Sequence, residues 1–287
     1  MIEINGRTKV VALIGHPVAH SPIPSLANAA FETLTLPYAM VSFDVRESSL
    51  GEAVSSVRAL GLAGLCVAMP HKPKICGLLD ELGPTGQTTC SVDAVSVLGR
   101  RLVGHNTELW SFLSAVKEEG VTLKDKRALL FGAGGTARSI AAALLKEGVA
   151  SLAVCNRTPG RAEQLVSDFR PQFPSIPLAP VPCEAREFRR TLSDSDLLVN
   201  ATPSDLESPK GPLVQEKDLH PALVVFDAVY THATPLLLSA RRVGCTAVAG
   251  TRMLIWQIFY SVRQWTGEEP SRKALERALE QSSSAVR

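Results

Sequence analysis

Residues 128–137 read Ala128-Leu129-Leu130-Phe131-Gly132-Ala133-Gly134-Gly135-Thr136-Ala137. An apolar strand runs into a glycine-rich turn, and the turn opens a helix. This is G-x-G-x-x-A, the relaxed dinucleotide fingerprint, in its strand–turn–helix setting. Gly132 permits the tight turn, Gly134 lets backbone N–H groups approach a pyrophosphate, and Ala137 keeps the helix close to the sheet. The helix N-terminus brings partial positive charge to the anion. Gly132, Ala133, Gly134, Gly135 and Thr136 are therefore the expected phosphate-side cofactor contacts.

The next strand, Ser151–Cys155, sets which dinucleotide is bound. An NAD site places Asp or Glu after that strand to accept from the ribose 2′-hydroxyl. Here the chain has Asn156-Arg157-Thr158, with Arg161 one turn on. Two guanidinium groups and a hydroxyl suit a 2′-phosphate, and a carboxylate would repel it. The expected cofactor is NADP.

Outward from this turn, short apolar runs alternate with helical stretches. Strands are expected at Lys9–Ile14, Val41–Val45, Gly64–Val67, Ala94–Leu98 and Arg101–Gly104, with helices at Ser25–Leu34, Leu50–Leu60 and about Lys74–Leu82. Thr107 reads as the N-cap of a helix ending near Gly120. A second alternation follows: strand Ala128–Phe131, helix Thr136–Glu147, strand Ser151–Cys155, helix Arg161–Asp168, strands Leu197–Asn200 and Leu223–Asp227, helix Pro235–Val243. Five prolines between Arg170 and Pro182 confine that segment to loop or edge strand. Ser204–Pro212 reads as loop, helices are expected at Met253–Trp265 and Ser271–Gln281, and Ser282–Arg287 reads as a frayed tail. Such alternation predicts α/β architecture with mainly parallel sheets.

The chain has 287 residues, enough for about two domains. A net charge of +2 gives no electrostatic case for nucleic acid or a membrane surface as partner. No apolar run reaches the length of a membrane-spanning helix, and the N-terminus does not read as a signal peptide. The six cysteines form no C-x-x-C pair and none has a histidine at zinc-ligand spacing, so reduced thiols, a cytoplasmic location and no metal are expected.

Lys72 follows Met69-Pro70-His71 at the carboxyl end of a strand, the sheet edge where open α/β folds bind ligands. Glu108 opens the helix after Thr107, where the helix dipole favours a carboxylate. His16, His20, His71 and His105 have no partner at metal or triad spacing and read as mostly structural.

Together these motifs resemble the shikimate dehydrogenase family from about residue 10 to 265. The matching blocks are Gly15–Ser21, Met69-Pro70-His71-Lys72, Gly104–Thr107, Gly132–Ala137, Asn156-Arg157-Thr158 with Arg161, Val199–Pro203, Asp227–Tyr230 with Thr234–Leu237, and Gly250 with Met253, Leu254 and Gln257. The resemblance implies an N-terminal α/β substrate domain, residues 1–107, completed by C-terminal helices returning at 251–287. A Rossmann-type, doubly wound NADP domain would occupy 108–250. It implies reversible hydride transfer between NADP and a cyclic hydroxy acid, shikimate to 3-dehydroshikimate, in aromatic amino acid biosynthesis. The protein would be a monomer or homodimer. Lys72 matches the family's catalytic lysine and Glu108 its paired aspartate. Ser21, Tyr230 and Gln257 match substrate contacts, and Ala228 and Gly250 lie where the family touches the nicotinamide half.

The departures cluster on the substrate. Where the family has Ser in H-S-x-S-P, this chain has Ile23. Where it has N-V-T-x-P, the chain has Cys66-Val67-Ala68-Met69-Pro70. The Asn of A-V-N-T is Ser96, the Asp of N-T-D-G is Glu108, and Ser204-Asp205 replaces a glycine. Each lost hydrogen bond to a buried ligand group costs on the order of 1–3 kcal/mol. The resemblance thus leaves quinate or a related substrate open beside shikimate at Ile23, Ala68 and Ser96. It also leaves an NADP-binding sensor with little turnover.

Overall fold

The computed structural model describes residues 3–203, 207–208 and 211–285. The chain forms two compact units, residues 1–111 with 255–287 and residues 112–254. It passes between them inside two helices.

The first unit opens with strand β1 (Lys9–Gly15), helix α1 (Ile23–Thr33), strand β2 (Tyr38–Asp44), helix α2 (Leu50–Ala59) and strand β3 (Gly64–Val67). β1 lies between β2 and β3, parallel to both. Helix crossovers between parallel strands account for the short apolar runs of this half. Strand β4 (Glu81–Leu82), helix α3 (Pro84–Thr89), and strands β5 (Ala94–Leu98) and β6 (Arg101–His105) complete the sheet, in the order β2-β1-β3-β5-β6-β4. β5 is antiparallel to both β3 and β6, so this sheet is mixed. Ala12, Ile14, Leu65, Val67, Val95 and Leu102 pack against Val54 and Val57 of α2.

Two elements here differ from the sequence reading. Lys74–Leu82 divides into a 3-10 turn, Lys74–Leu78, and β4. Gly77 weakens a helix there, and Asp80 accepts the Leu102 amide at 2.6 Å, drawing the chain alongside β6. Helix α3 was not expected. It has a proline at its start and polar residues throughout, so it lacks the apolar periodicity that marks a helix.

Helix α4 (Glu108–Glu118) leads into the second unit. There strand β7 (Arg127–Phe131), helix α5 (Gly135–Lys146), strand β8 (Ser151–Cys155), helix α6 (Pro159–Phe169), strand β9 (Leu178–Val181), helix α7 (Ala185–Ser193) and strand β10 (Leu197–Asn200) follow in turn. Strands β11 (Glu207–Ser208) and β12 (Gly211–Pro212) pair as a hairpin where loop was expected. Ser204-Asp205 lies outside the described residues. Strand β13 (Val224–Asp227), helix α8 (Pro235–Val243) and strand β14 (Thr246–Ala249) complete a six-stranded parallel sheet, ordered β14-β13-β10-β7-β8-β9. β9 is an edge strand, as its Pro180 requires. Helix α7 escaped the sequence reading because only Phe188 and Leu192 carry its buried face.

The chain runs outward from β7 through β8 to β9, then returns to the other side of β7 with β10. That reversal is the switch point where doubly wound sheets bind dinucleotides. Helix α9 (Gly250–Thr266) leads back into the first unit, and α10 (Arg272–Ala285) packs on α1. The supposedly frayed tail is helical through Ala285, and its last two residues lie outside the described ones. Among the described residues no helix is long and apolar enough to cross a membrane.

Candidate active site

In the first unit, β3 ends and the chain turns through Ala68, Met69 and Pro70 to His71 and Lys72. Ala68 N–H donates to the Ile14 carbonyl and His71 N–H to the Ala68 carbonyl, which closes the turn. His71 is fully buried, with its Nε2 2.7 Å from the Val45 carbonyl, as a structural histidine should be. The Lys72 carbonyl accepts the Val92 N–H at 2.8 Å, which fixes this turn beside the start of β5.

Lys72 Nζ donates to Glu108 Oε1 at 2.7 Å. The two side chains are only 12% and 5% exposed. Burial disfavours the Lys72 ammonium, but Glu108 and Asp93 together outweigh it and hold the amine above the ordinary lysine range. This is a proton donor held at one place in a dry setting.

The first turn of α4 is organised by side chains other than that of Thr107. Asp93 accepts Thr107 N–H at 2.8 Å and the Thr107 hydroxyl at 3.0 Å through Oδ1, and Glu108 N–H at 2.7 Å through Oδ2. Asn106 Oδ1 accepts Leu109 N–H at 3.0 Å. Thr107 stands at the expected position, but its hydroxyl is turned to Asp93 rather than to a helix amide. Asp93 was missed in the sequence. Its signal was a carboxylate inside the apolar run Val92-Asp93-Ala94-Val95, where an acid is tolerated only with partners.

The other positions expected near substrate in this unit are placed as follows. Ser21 is half-buried, and its Oγ accepts the Ile23 amide at 3.3 Å. Ile23 is buried as the first residue of α1, and Gln257 is buried on α9. Ser96 Oγ donates to the Gln264 carbonyl of α9 at 3.3 Å. Cys66 is buried on β3, and burial, reinforced by Asp93, pushes its thiol up to about 12, so it stays neutral.

The second unit carries the phosphate-binding turn. Gly132 has φ +122°, a value L-residues rarely adopt, and its N–H donates to the Cys155 carbonyl at 2.8 Å. A Cβ at Gly132 would meet the Ala201 carbonyl oxygen at 3.0 Å, so the turn is pressed against the end of β10. Gly134 precedes α5 and has no side chain to cap the helix, and a Cβ there would have nothing within 4 Å. Ala133, Gly135 and Thr136 thus surround the start of α5 with no Gly134 side chain in the way, and the start of a helix is where backbone amides attract an anion. After β8, Asn156 Nδ2 donates to the Thr158 carbonyl at 2.9 Å, shaping the loop that exposes Arg157, Thr158 and Arg161. These residues fit a dinucleotide with a 2′-phosphate.

A buried network ties the neighbouring strand ends. Asp227, fully buried, accepts from Asn200 Nδ2 at 3.0 Å, Val229 N–H at 3.0 Å and the Thr234 hydroxyl at 2.6 Å. Asn200 Oδ1 in turn accepts Thr202 N–H and its hydroxyl. Beyond Asp227 come Ala228 and the half-buried Tyr230. A Cβ on Gly250 would lie 2.5 Å from the Ala228 carbonyl carbon and oxygen, so only glycine lets α9 start this close to β13. The structure therefore gathers Gly132–Thr136, Ala228 and Gly250 at the carboxyl ends of β7, β13 and β14. Separately, it gathers Lys72, Glu108, Asp93 and Cys66 in the first unit.

Comparison with known proteins matches three family models along the chain. They are the shikimate dehydrogenase substrate binding domain at residues 13–95, the shikimate/quinate 5-dehydrogenase model at 114–224, and the shikimate 5′-dehydrogenase C-terminal domain at 250–280. The NADP(+) shikimate dehydrogenase of Rubrobacter xylanophilus is 39% identical over 280 residues, covering 96% of this chain and 97% of its own. A solved shikimate dehydrogenase in complex with NADP+ superposes with a TM-score of 0.88 at 32% identity, covering 98% of this chain and 97% of its own. That of Thermus thermophilus with NADP(H) and shikimate gives 0.83 at 32% identity, covering 96% and 100%.

Proposed function

The chain belongs to the shikimate dehydrogenase family, and from that premise we propose that it interconverts shikimate and 3-dehydroshikimate, with Lys72 and Glu108 handling the proton of the reacting hydroxyl. It is an NADP-dependent oxidoreductase of the shikimate dehydrogenase type. NADP, when bound, supplies the hydride acceptor or, reduced, the hydride donor. Residues 108–250 form the NADP-binding domain in this reading, and 1–107 with 251–287 the substrate domain. Gly132–Thr136 and the α5 amides would hold the pyrophosphate, Arg157, Thr158 and Arg161 the 2′-phosphate, and Ala228 and Gly250 the nicotinamide side.

The observation that carries the proposal is the buried Lys72–Glu108 contact at 2.7 Å. The ammonium state suits ketone reduction: Lys72 delivers a proton to the carbonyl oxygen as it gains negative charge, while Glu108 holds the amine in place. In the oxidative direction Lys72 must first release its proton, and Glu108 is the acceptor in contact with it. Ser21, Tyr230 and Gln257 orient the substrate in this reading.

A second substrate, quinate or another cyclic hydroxy acid, is favoured by one observation. Ser96 spends its hydroxyl on the Gln264 carbonyl, and Ile23 and Ala68 offer no hydrogen bond. Purified protein assayed with NADP against shikimate and quinate separates the two. Preferred turnover of shikimate supports the main reading, and turnover of quinate alone supports the second. No turnover of either, with tight NADP binding, would make the protein a cofactor-binding sensor.

A further inference from the structure

The buried cluster around Lys72 contains one ammonium and two carboxyl groups, and the second carboxyl, Asp93, has no part in the chemistry assigned above. Asp93 is fully buried immediately before β5. Its own backbone is locked, with its N–H on the His105 carbonyl at 3.0 Å and its carbonyl taking the Val67 N–H at 2.8 Å. Its two oxygens take three donors, all from Thr107 and Glu108. A carboxylate held by two helix amides and a hydroxyl fixes the backbone from which Glu108 reaches Lys72. Thr107 is steadied on its other side by the Ser261 hydroxyl of α9 at 3.3 Å.

We propose that Asp93 is a positioning residue for the Lys72–Glu108 pair: its carboxyl group clamps the first turn of α4 with Glu108 facing the ammonium, and in its ionised form, the form present where Lys72 titrates, it is a second buried negative charge near Lys72. This deepens the function proposed above and rests on it for its kinetic consequence only. The titratable groups facing Asp93 are Lys72 from the turn after β3, Glu108 from α4 and the neutral Cys66 thiol from β3. β6 presents the His105 carbonyl and α9 a serine hydroxyl, neither of them charged.

Geometry and charge act in the same direction. Moving Glu108 by a fraction of an ångström lengthens a charge-assisted contact that is worth most when short. Removing the second negative charge lets burial act on Lys72 with less opposition, so the amine gives up its proton more readily. A residue that only capped α4 would do the first and not the second.

The test is Asp93→Asn, with Asp93→Ser as a second uncharged variant in case the first folds poorly. Lys72 is titrated in both by 13C-reductive methylation and NMR, without substrate, and by the pH dependence of kcat. We expect the Lys72 titration to move to lower pH in either variant, and kcat to fall about 10- to 100-fold with the NADP dissociation constant unchanged. Unchanged Lys72 titration in a folded variant overturns the proposal, whatever happens to stability. A lowered Lys72 titration in a protein that turns over neither shikimate nor quinate upholds the electrostatic role of Asp93 and rejects the catalytic reading instead.

Discussion

Glu108 reaches Lys72 at 2.7 Å although it is one methylene longer than the aspartate the family motif carries at this position. At the first turn of α4, Asp93 holds the Thr107 and Glu108 amides. The buried pair therefore survives a substitution that could have broken it. Breaking such a pair from one side leaves a charge in a dry environment, which costs more than the pair itself contributes.

Replacing Lys72 with methionine is therefore expected to do two things. Turnover should fall by about 10²- to 10⁴-fold, the usual contribution of a positioned acid–base group. Stability near neutral pH should fall by about 3–5 kcal/mol, because two buried carboxyls lose the cation that faces them. Urea denaturation and steady-state rates measured on the same preparation check both. Full activity would remove Lys72 from the reaction.

Shortening the partner is a sharper probe than removing it. Glu108→Asp retracts the carboxylate by about 1.5 Å, one carbon–carbon bond, with α4 still clamped by Asp93. We expect kcat to drop about tenfold or more, with the KM for NADP unchanged, since misplacement by about 1 Å is costly at a reacting centre. Equal rates would mean that α4 slides to restore the contact.

Much of this arrangement was legible in the chain itself. β3, β5, β8, β10 and α8 fall where their apolar runs and caps put them, because each is a strand buried inside a sheet or a helix with a strong start signal, such as Thr234-Pro235. The Gly132–Ala137 turn could be read because glycines in that pattern between a strand and a helix have few other uses, whereas the Lys72–Glu108 pairing could be read only through the family resemblance. Asp93 could not, since nothing local says that a carboxylate just before β5 will meet the amides of residues 107 and 108. The same holds for Asp227, whose partners Asn200 and Thr234 lie on other elements. Long-range capping by a side chain leaves no periodic trace. Helices α3 and α7 went unread because they are polar on most of their surface.

Stability should slope downward with rising pH between about 4 and 7. Burial, reinforced by Glu108, pushes Asp93 up to about 7 from an ordinary value of 3.8. Between those values the folded chain holds a proton that the unfolded chain has released, so folding is favoured at the acid end and that advantage is gone by the upper end. Lys72 does not obscure it, because its raised value yields stability that is complete below the unfolded lysine pKa of 10.5 and is lost only in strong alkali. Asp196 acts below the window. Its hydrogen bonds from Arg127 hold it down to about 2, so its contribution is present above 3.8 and lost as pH falls toward 2. Urea midpoints at pH 5 and 7.5 should differ in the native protein and converge in Asp93→Asn. A native protein with no slope between these pH values would show that Asp93 is ionised throughout.

The exposed Arg157 follows β8 and precedes α6. If it clamps a 2′-phosphate, Arg157→Ala removes a charge-assisted bond worth about 1.5–3 kcal/mol. NADP affinity should then weaken about 10- to 150-fold, and NAD affinity should change little. Calorimetric titration with both dinucleotides reads the difference. Equal losses would mean that Arg157 supports the loop and not the phosphate.

Gly132 and Gly134 serve different masters, and alanine can tell them apart. Gly132 sits at φ +122° against the Ala201 carbonyl, so Gly132→Ala strains the turn itself and should lower stability by about 1–3 kcal/mol along with cofactor binding. Gly134 has an extended backbone, φ −86° and ψ −169°, that any residue adopts, and open space where a Cβ would go. Nothing in the fold requires glycine there. Only a ligand packed against the backbone does. Gly134→Ala should therefore keep its urea midpoint, or gain about 0.4–1 kcal/mol from a stiffer unfolded chain. It should nonetheless lose NADP binding by at least about 100-fold as the methyl group meets the pyrophosphate. A Gly134→Ala protein that binds NADP normally would move the phosphate site off this turn. One that unfolds would return Gly134 to a structural role.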